Sequence, residues 1–258
     1  MKKLLTLLII VVTAIVSVSF KNEEVRKLPS KIMFYVENDI WSLWEYFYDE
    51  QNRLIKIATS TENLDIIYDA DGLPLKMKSM VSENIFNIGV TYQNNGKKII
   101  IQQDTLWLND KGQFTNARIS IFDGINTSYF TYNSNEDIIK KSEGYEVNLT
   151  FSDIPSMWRH VNTPEWFLAW LGFKRGVIFP LEKNGYLVSQ QQILDNEPVL
   201  YIYELDTDNY VTRMQSIGAF KMADRPKPSI RFVNLDGEEI EWIEPTEPFW
   251  KYEYILAR

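Results

Sequence analysis

The chain has 258 residues, 45% of them hydrophobic and 14% aromatic, with 27 basic against 35 acidic side chains and no cysteine. This composition excludes a disordered chain. The acidic balance opposes nucleic-acid binding, which needs a basic footprint to displace counterions from phosphates, and the lack of cysteine excludes disulfides, thiolate metal sites and a lipid-modified cysteine anchor.

At the N-terminus, Lys2 and Lys3 precede an apolar run from Leu4 to Val18, and the small residues Ser17-Val18-Ser19 stand ahead of Phe20. This is the pattern of a secretory signal over residues 1–19, cleaved near Ser19. It leaves residues 20–258 as a single domain in the periplasm or outside the cell. An uncleaved anchor is the competing reading, although the run is slightly short of the ~20 apolar residues of a membrane span. Cleavage takes two lysines from the 27 basic residues, so 25 face 35 acidic ones and the net charge becomes −10.

From residue 48 the chain repeats itself. An apolar residue is followed by Asp, Asn, Glu or Gln, then two mostly polar residues, then Gly or Asn. The pattern occurs at Tyr48-DEQN, Tyr68-DADG, Tyr92-QNNG, Leu108-NDKG, Leu181-EKNG, Leu205-DTDN and Val233-NLDG; an eighth copy, Tyr132-NSNE, places Glu136 in the Gly/Asn slot. Each copy reads as a three-residue hairpin loop. The Asp or Asn bonds backbone amides ahead of it, and the last loop residue sits at φ > 0, where Gly is unstrained and Asn tolerated. Five of the 11 glycines (Gly72, Gly96, Gly112, Gly185 and Gly237) fall in that slot, which a random scatter would not give. Asp69-Ala70-Asp71-Gly72 also resembles part of a calcium loop, but Ile67 stands where such a loop needs its first acid, so no metal is expected.

After the slot, the third and fifth residues (Ile55/Ile57, Leu75/Met77, Ile99/Ile101, Thr115/Ala117, Val188/Gln190, Thr212/Met214, Ile240/Trp242) are mostly apolar, and the residue between them mostly polar. A period of two with one apolar face predicts half-buried antiparallel strands. The polar breaks Thr59–Asn63, Ser82–Asn84, Asp123–Ser128 and Asp195–Pro198 serve as connections at the opposite edge. The fold class is therefore all-β. Eight hairpins give an up-and-down meander of fourteen to sixteen strands, more than an open twisted sheet carries without curling into a barrel or half-barrel.

Residues 162–173, NTPEWFLAWLGF, break the pattern. Thr163 reads as a helix cap, Pro164 as the first helical residue and Gly172 as a stop. Its apolar residues face every side, so this helix, near 163–172, must be buried. It is expected to fill the space inside the curled sheet, against a face formed by Ile55, Leu75 and Ile99, with Trp166 and Trp170 on its better-buried side.

The YDxxNRL and YDADG copies resemble YD (Rhs-like) repeats, whose strands form long sheets around an interior space. With the signal, the Trp-rich insert and the unit Tyr201–Met214, the layout over about residues 31–220 resembles a Bacteroidota family of secreted proteins, a domain of unknown function described as having a porin-like fold. That resemblance implies a cell-envelope protein and brings no catalytic residues with it.

For chemistry, a lone histidine, His160, and no cysteine leave no triad or zinc ligand set. No cofactor or catalytic residue is expected and the chain reads as a non-enzyme, though carboxylates for glycoside hydrolysis are plentiful. Of the eight tryptophans, Trp158, Trp166 and Trp170 are the candidate ligand-binding residues, able to stack on a sugar or line an apolar pocket; filling the sheet interior is the competing role. The function classes are thus a binding module for a glycan or lipid, or a scaffold meeting an envelope protein. An outer-membrane pore is disfavoured, because the step from Tyr92 to Leu108 leaves about five residues per strand where spanning strands need ~9–11.

Overall fold

The computed structural model describes residues 25–36, 39–121, 124–132, 138–142, 145–175, 186–193, 198–217, 232–233, 239–240 and 249–258. The expected signal, Trp242, Gly144 and the turns of the Tyr132, Leu181 and Val233 copies lie outside these residues.

The chain begins as a run of hairpins: β1 (Lys27–Val36), β2 (Asp39–Tyr48), β3 (Leu54–Thr59), β4 (Glu62–Tyr68), β5 (Pro74–Val81) and β6 (Asn84–Gln93). The short β7 (Lys98–Ile101) and β8 (Asp104–Leu108) follow, then β9 (Phe114–Ile121), β10 (Gly124–Tyr132), β11 (Ile138–Ser142) and β12 (Tyr145–Pro155). One helix, α1 (Glu165–Arg175), interrupts the meander before β13 (Tyr186–Ile193), β14 (Val199–Leu205) and β15 (Val211–Ile217). The two-residue strands β16 (Phe232–Val233) and β17 (Glu239–Ile240) precede the last strand, β18 (Phe249–Leu256). Each of β1–β15 pairs antiparallel with its sequence neighbours, and β18 joins β15 on one side and β1 on the other. The ring of 16 strands is thereby closed, with no free edge. The Val233 copy departs from the meander: β16 and β17 pair only with each other, as a separate ladder. The break expected at Asp123–Ser128 is mostly strand, since β10 begins at Gly124.

The turns behave as their residues require. Asp49, Asp69, Asn109 and Asp206 each accept, through Oδ1, the amides two and four residues ahead at 2.9–3.0 Å. The closing residues Asn52, Gly72, Gly112 and Asn209 all have positive φ, from 60° to 79°. These acids are therefore turn caps. Burial alone would raise the Asp49 carboxyl, but the Arg53 and Gln51 amides and the Arg53 guanidinium hold it below the usual carboxylate value. The Tyr92 copy differs, with Asn94, Asn95 and Gly96 all at positive φ in a longer loop.

The arms after the turns need a correction. The fifth residue faces inward as expected (Ile57, Met77, Ala117 and Met214 are buried), but Leu75 is 47% exposed, Thr115 is exposed and Ile55 only partly covered. The reason is a β-bulge repeated at one place in each copy. Tyr48 pairs with Leu54 while Phe47 pairs with Lys56, and the same one-residue skip passes over Leu75, Thr115 and Thr212. A bulge inserts one residue and flips the alternation behind it, so the inward residue at the strand start is the second after the slot: Leu54, Pro74, Phe114 and Val211. Among the described residues, only the bulge-free Tyr92 copy keeps the simple pattern, with Ile99 and Ile101 both buried.

Inside the ring the side chains are mostly apolar. Ile32, Leu64, Ile66, Ile88, Leu106, Phe130, Leu149 and Leu187 form one core together with α1. The outer face carries Lys56, Asp65, Lys76, Lys78, Arg118, Lys251 and Glu253, with apolar Ile67, Met80, Ile85, Ile125 and Ile202 interspersed. The helix lies within the barrel as expected, and Trp166 to Leu171 are all buried, with Phe167, Trp170 and Leu171 the deepest. Its limits differ, however. Gly172 lies within the helix, and Thr163 spends its hydroxyl elsewhere: Oγ1 accepts the Leu54 amide at 2.8 Å and lies 3.0 Å from the Tyr68 hydroxyl. Of the face expected against the helix, Ile99 points inward and Ile55 and Leu75 do not, for the bulge reason above.

Candidate ligand-binding site

The two ends of the barrel are built differently. At the turn end, residues 156–163 run from β12 to α1 and bridge the β2–β3 and β14–β15 turns, which stand on either side of the β1–β18 pair. The Asn162 amide donates to Asn52 O at 2.9 Å, and its side chain to Gln51 O at 2.6 Å. The Arg159 guanidinium reaches Asn209 O at 3.4 Å and lies 3.8 Å over the Tyr210 ring. Ser156, Met157, Trp158 and Thr163 beneath this bridge are buried.

A belt of tyrosines supports the same end. Tyr48, Tyr68, Tyr92, Tyr132, Tyr203 and Tyr254 donate their hydroxyls to the carbonyls of Pro29, Leu54, Pro74, Phe114, Val188 and Val211, at 2.5–3.0 Å. Every one of those carbonyls belongs to the residue just before a bulge in the neighbouring strand. A bulge disrupts the ladder locally, and the tyrosine of the next strand supplies a donor there. Where the preceding strand, β7, has no bulge, the corresponding residue is Leu108, which has no hydroxyl. Burial pushes the Tyr68 and Tyr132 phenols up to about 12 and raises those of Tyr48 and Tyr92 well above the ordinary value.

Among the described residues, the opposite end is more polar. A cavity of about 220 Å³ sits inside the mouth between β2, β3 and β4. The buried Ile57 and Leu64 lie at its base, Trp44 forms one wall, and Ser42, Thr59, Thr61 and Glu62 supply polar groups. Pairing sets this layout, since Trp44 is the cross-strand partner of Thr59 and Ile57 of Leu64. The short turn is held by Thr59, whose hydroxyl accepts the amides of Thr61 and Glu62 and donates to Glu62 O. The Ser79 hydroxyl donates to Glu62 Oε1 and orients the carboxylate. A second recess, lined by Gln102, Gln103, Ser120 and Lys174, opens where α1 ends. Behind it is Asp104, 1% exposed, which accepts the Trp170 indole N–H at 2.9 Å and pairs with Lys174 at 3.3 Å.

Trp158, Trp166 and Trp170 are 4%, 8% and 1% exposed, and all three belong to the core. The structure places Trp166 against Tyr92, Trp158 against Tyr46, and Trp170 on Asp104; none of the three lines either recess. The mouth residues were hidden in the sequence because the TSTEN stretch reads as a plain connection, and only Trp44, one of eight tryptophans, carried a signal. Chemically, the Trp44 cavity offers an aromatic surface, hydroxyls and a single carboxylate, a set suited to holding a small hydroxylated ring. Glycoside hydrolysis uses two carboxylates flanking the bond, and Glu62 is the one carboxylate among the described residues lining this cavity.

No family model matches the chain, and no curated protein matches it. Among solved structures, it is similar to a porin-like protein from Bacteroides uniformis at 17% identity and a TM-score of 0.37, covering 88% of this chain and 96% of that one.

Proposed function

We propose that this is a secreted cell-envelope protein acting as a non-enzymatic binding scaffold: a plugged barrel with a polar recess at one end. A single observation carries the reading. The interior of the closed ring is an apolar core filled by α1, whereas a pore of this strand number encloses an aqueous channel. Membrane barrels turn an apolar band outward and a polar lining inward; here the inner face is apolar and the outer face carries Lys56, Asp65, Lys76 and Lys78. The four residues of β7 also fall short of a bilayer crossing. The mature chain, residues 20–258, should therefore stay monodisperse in buffer without detergent and leave planar lipid bilayers electrically silent. Discrete channel openings at micromolar protein overturn this reading.

Within this role, ligand binding is favoured over a bare scaffold by the cavity beside Trp44, which lies in the described mouth and not beside Trp166 or Trp170. Native mass spectrometry of protein from its own envelope fraction should show an adduct of glycan mass. A lipid adduct instead would move the ligand class to lipids, and the bare chain alone would favour the scaffold.

A further inference from the structure

We infer that the Trp44 cavity binds a single neutral pyranose ring, the terminal unit of a glycan, stacked on the Trp44 indole and hydrogen-bonded to Glu62. The inference rests on the plugged-barrel reading above and adds the ligand class and the contacts. Size comes first. The cavity, at about 220 Å³, is below the ~300–1,000 Å³ of pockets for drug-sized ligands, so one ring fits and a longer glycan must project out of the mouth. The chemistry of the walls narrows the class. A pyranose has an apolar C–H face and a rim of hydroxyls, and the cavity pairs an aromatic surface with Ser42, Thr61 and Glu62. An acyl chain would offer no partner to the Ser42 and Thr61 hydroxyls and would desolvate them and the carboxylate, at a cost for each group. A carboxylate has about four acceptor positions, so Glu62 can accept a sugar hydroxyl in addition to the Ser79 donor at Oε1.

The cavity is also preorganised. Trp44 and Ile57 are fixed in the β2–β3 ladder, and the Thr59 hydroxyl locks the turn that carries Thr61 and Glu62. Little ordering remains to be lost on binding. Ser79, 4% exposed on β5, acts as a positioning residue for Glu62.

The test is saturation-transfer NMR on the mature chain with glucose, galactose, mannose, N-acetylglucosamine and the cationic glucosamine, each at millimolar concentration. At least one neutral sugar should receive transfer, strongest at the protons of one ring face. Glu62→Gln and Trp44→Ala should weaken its binding at least ~10-fold, the scale of one lost hydrogen bond to a charged group. Trp41→Ala, at a residue 74% exposed and outside the cavity, should leave binding unchanged. Should Trp44→Ala fail to fold, Thr61→Arg blocks the cavity from an exposed turn position and should abolish transfer. No transfer to any neutral sugar, transfer to glucosamine alone, or transfer that survives both Glu62→Gln and Thr61→Arg overturns the inference. Silent bilayers with no sugar signal remove this site and leave the plugged-barrel reading standing; channel openings remove that reading whatever the sugars do.

Discussion

Gly112 and Gly72 sit at φ of 76° and 79°, a region that β-branched residues enter only under strain. A Cβ added at Gly112 would meet nothing within 4 Å, so Gly112→Val isolates the backbone term from any clash. It should lower stability by ~1–3 kcal/mol. Gly89→Ala, in open space and at ordinary φ on β6, should change it by less than ~0.5 kcal/mol in the same urea titration; equal losses at both sites would remove the turn argument. This slot was legible because a left-handed residue admits few residue types. The tyrosines before it were not. As apolar residues they fit the pattern, but the work of their hydroxyls depends on a bulge in the preceding strand, which no residue type announces. Tyr68→Phe keeps the ring beneath Arg53, 4.7 Å away, and removes the bond to Leu54 O together with the hydroxyl contact to Thr163. A loss of ~1–3 kcal/mol is expected, because the carbonyl is left without this donor. No loss in urea titration would show that the bond contributes nothing.

At the scale of elements, the bulge explains both what the sequence told and what it hid. Period-two alternation correctly predicted strands and the hairpin count their number, yet a single skipped residue moved Ile55 and Leu75 off the inner face in phase with every other bulged copy. The helix shows the same division. Its burial followed from apolar residues on all sides, whereas its ends did not follow from cap preferences, because Thr163 is taken by the Leu54 amide and the Tyr68 hydroxyl. The Asp104 latch was equally out of reach, since β8 and α1 are 66 positions apart at Asp104 and Trp170. Trp170→Ala removes a large, fully buried aromatic and should cost ~3–5 kcal/mol. Asp104→Ala should also destabilise, because the Trp170 N–H and the Lys174 ammonium lose their shared carboxylate. Thermal melts of the two single variants and the double variant test the coupling. The double variant should lose less than the two singles together, and strict additivity would deny that the latch acts on the helix.

Across the whole molecule, closure places six hydrogen-bonded tyrosines in one belt at the turn end, on strands from β2 round to β18. Their ionisation is therefore tied to the integrity of the ring. A free tyrosine ionises near pH 10, and burial raises Tyr68 and Tyr132 to about 12 and Tyr48 well above the ordinary value. For an acid whose folded pKa is raised, the unfolded state releases its proton first. The stabilisation of the neutral phenols is then complete below about pH 10 and is lost as pH climbs through the folded values. Stability from this source should be flat from pH 7 to 9, fall steeply between pH 10 and 12, and end in one cooperative loss of β-sheet circular dichroism. Tyr68→Phe removes one releasable proton, so it should lower stability at pH 7 yet make the fall above pH 10 shallower. Urea titrations of both proteins at pH 7, 9 and 11 decide the matter. A decline that begins below pH 9, or an identical alkaline slope in the two proteins, would mean that the belt does not govern the alkaline limit of the fold.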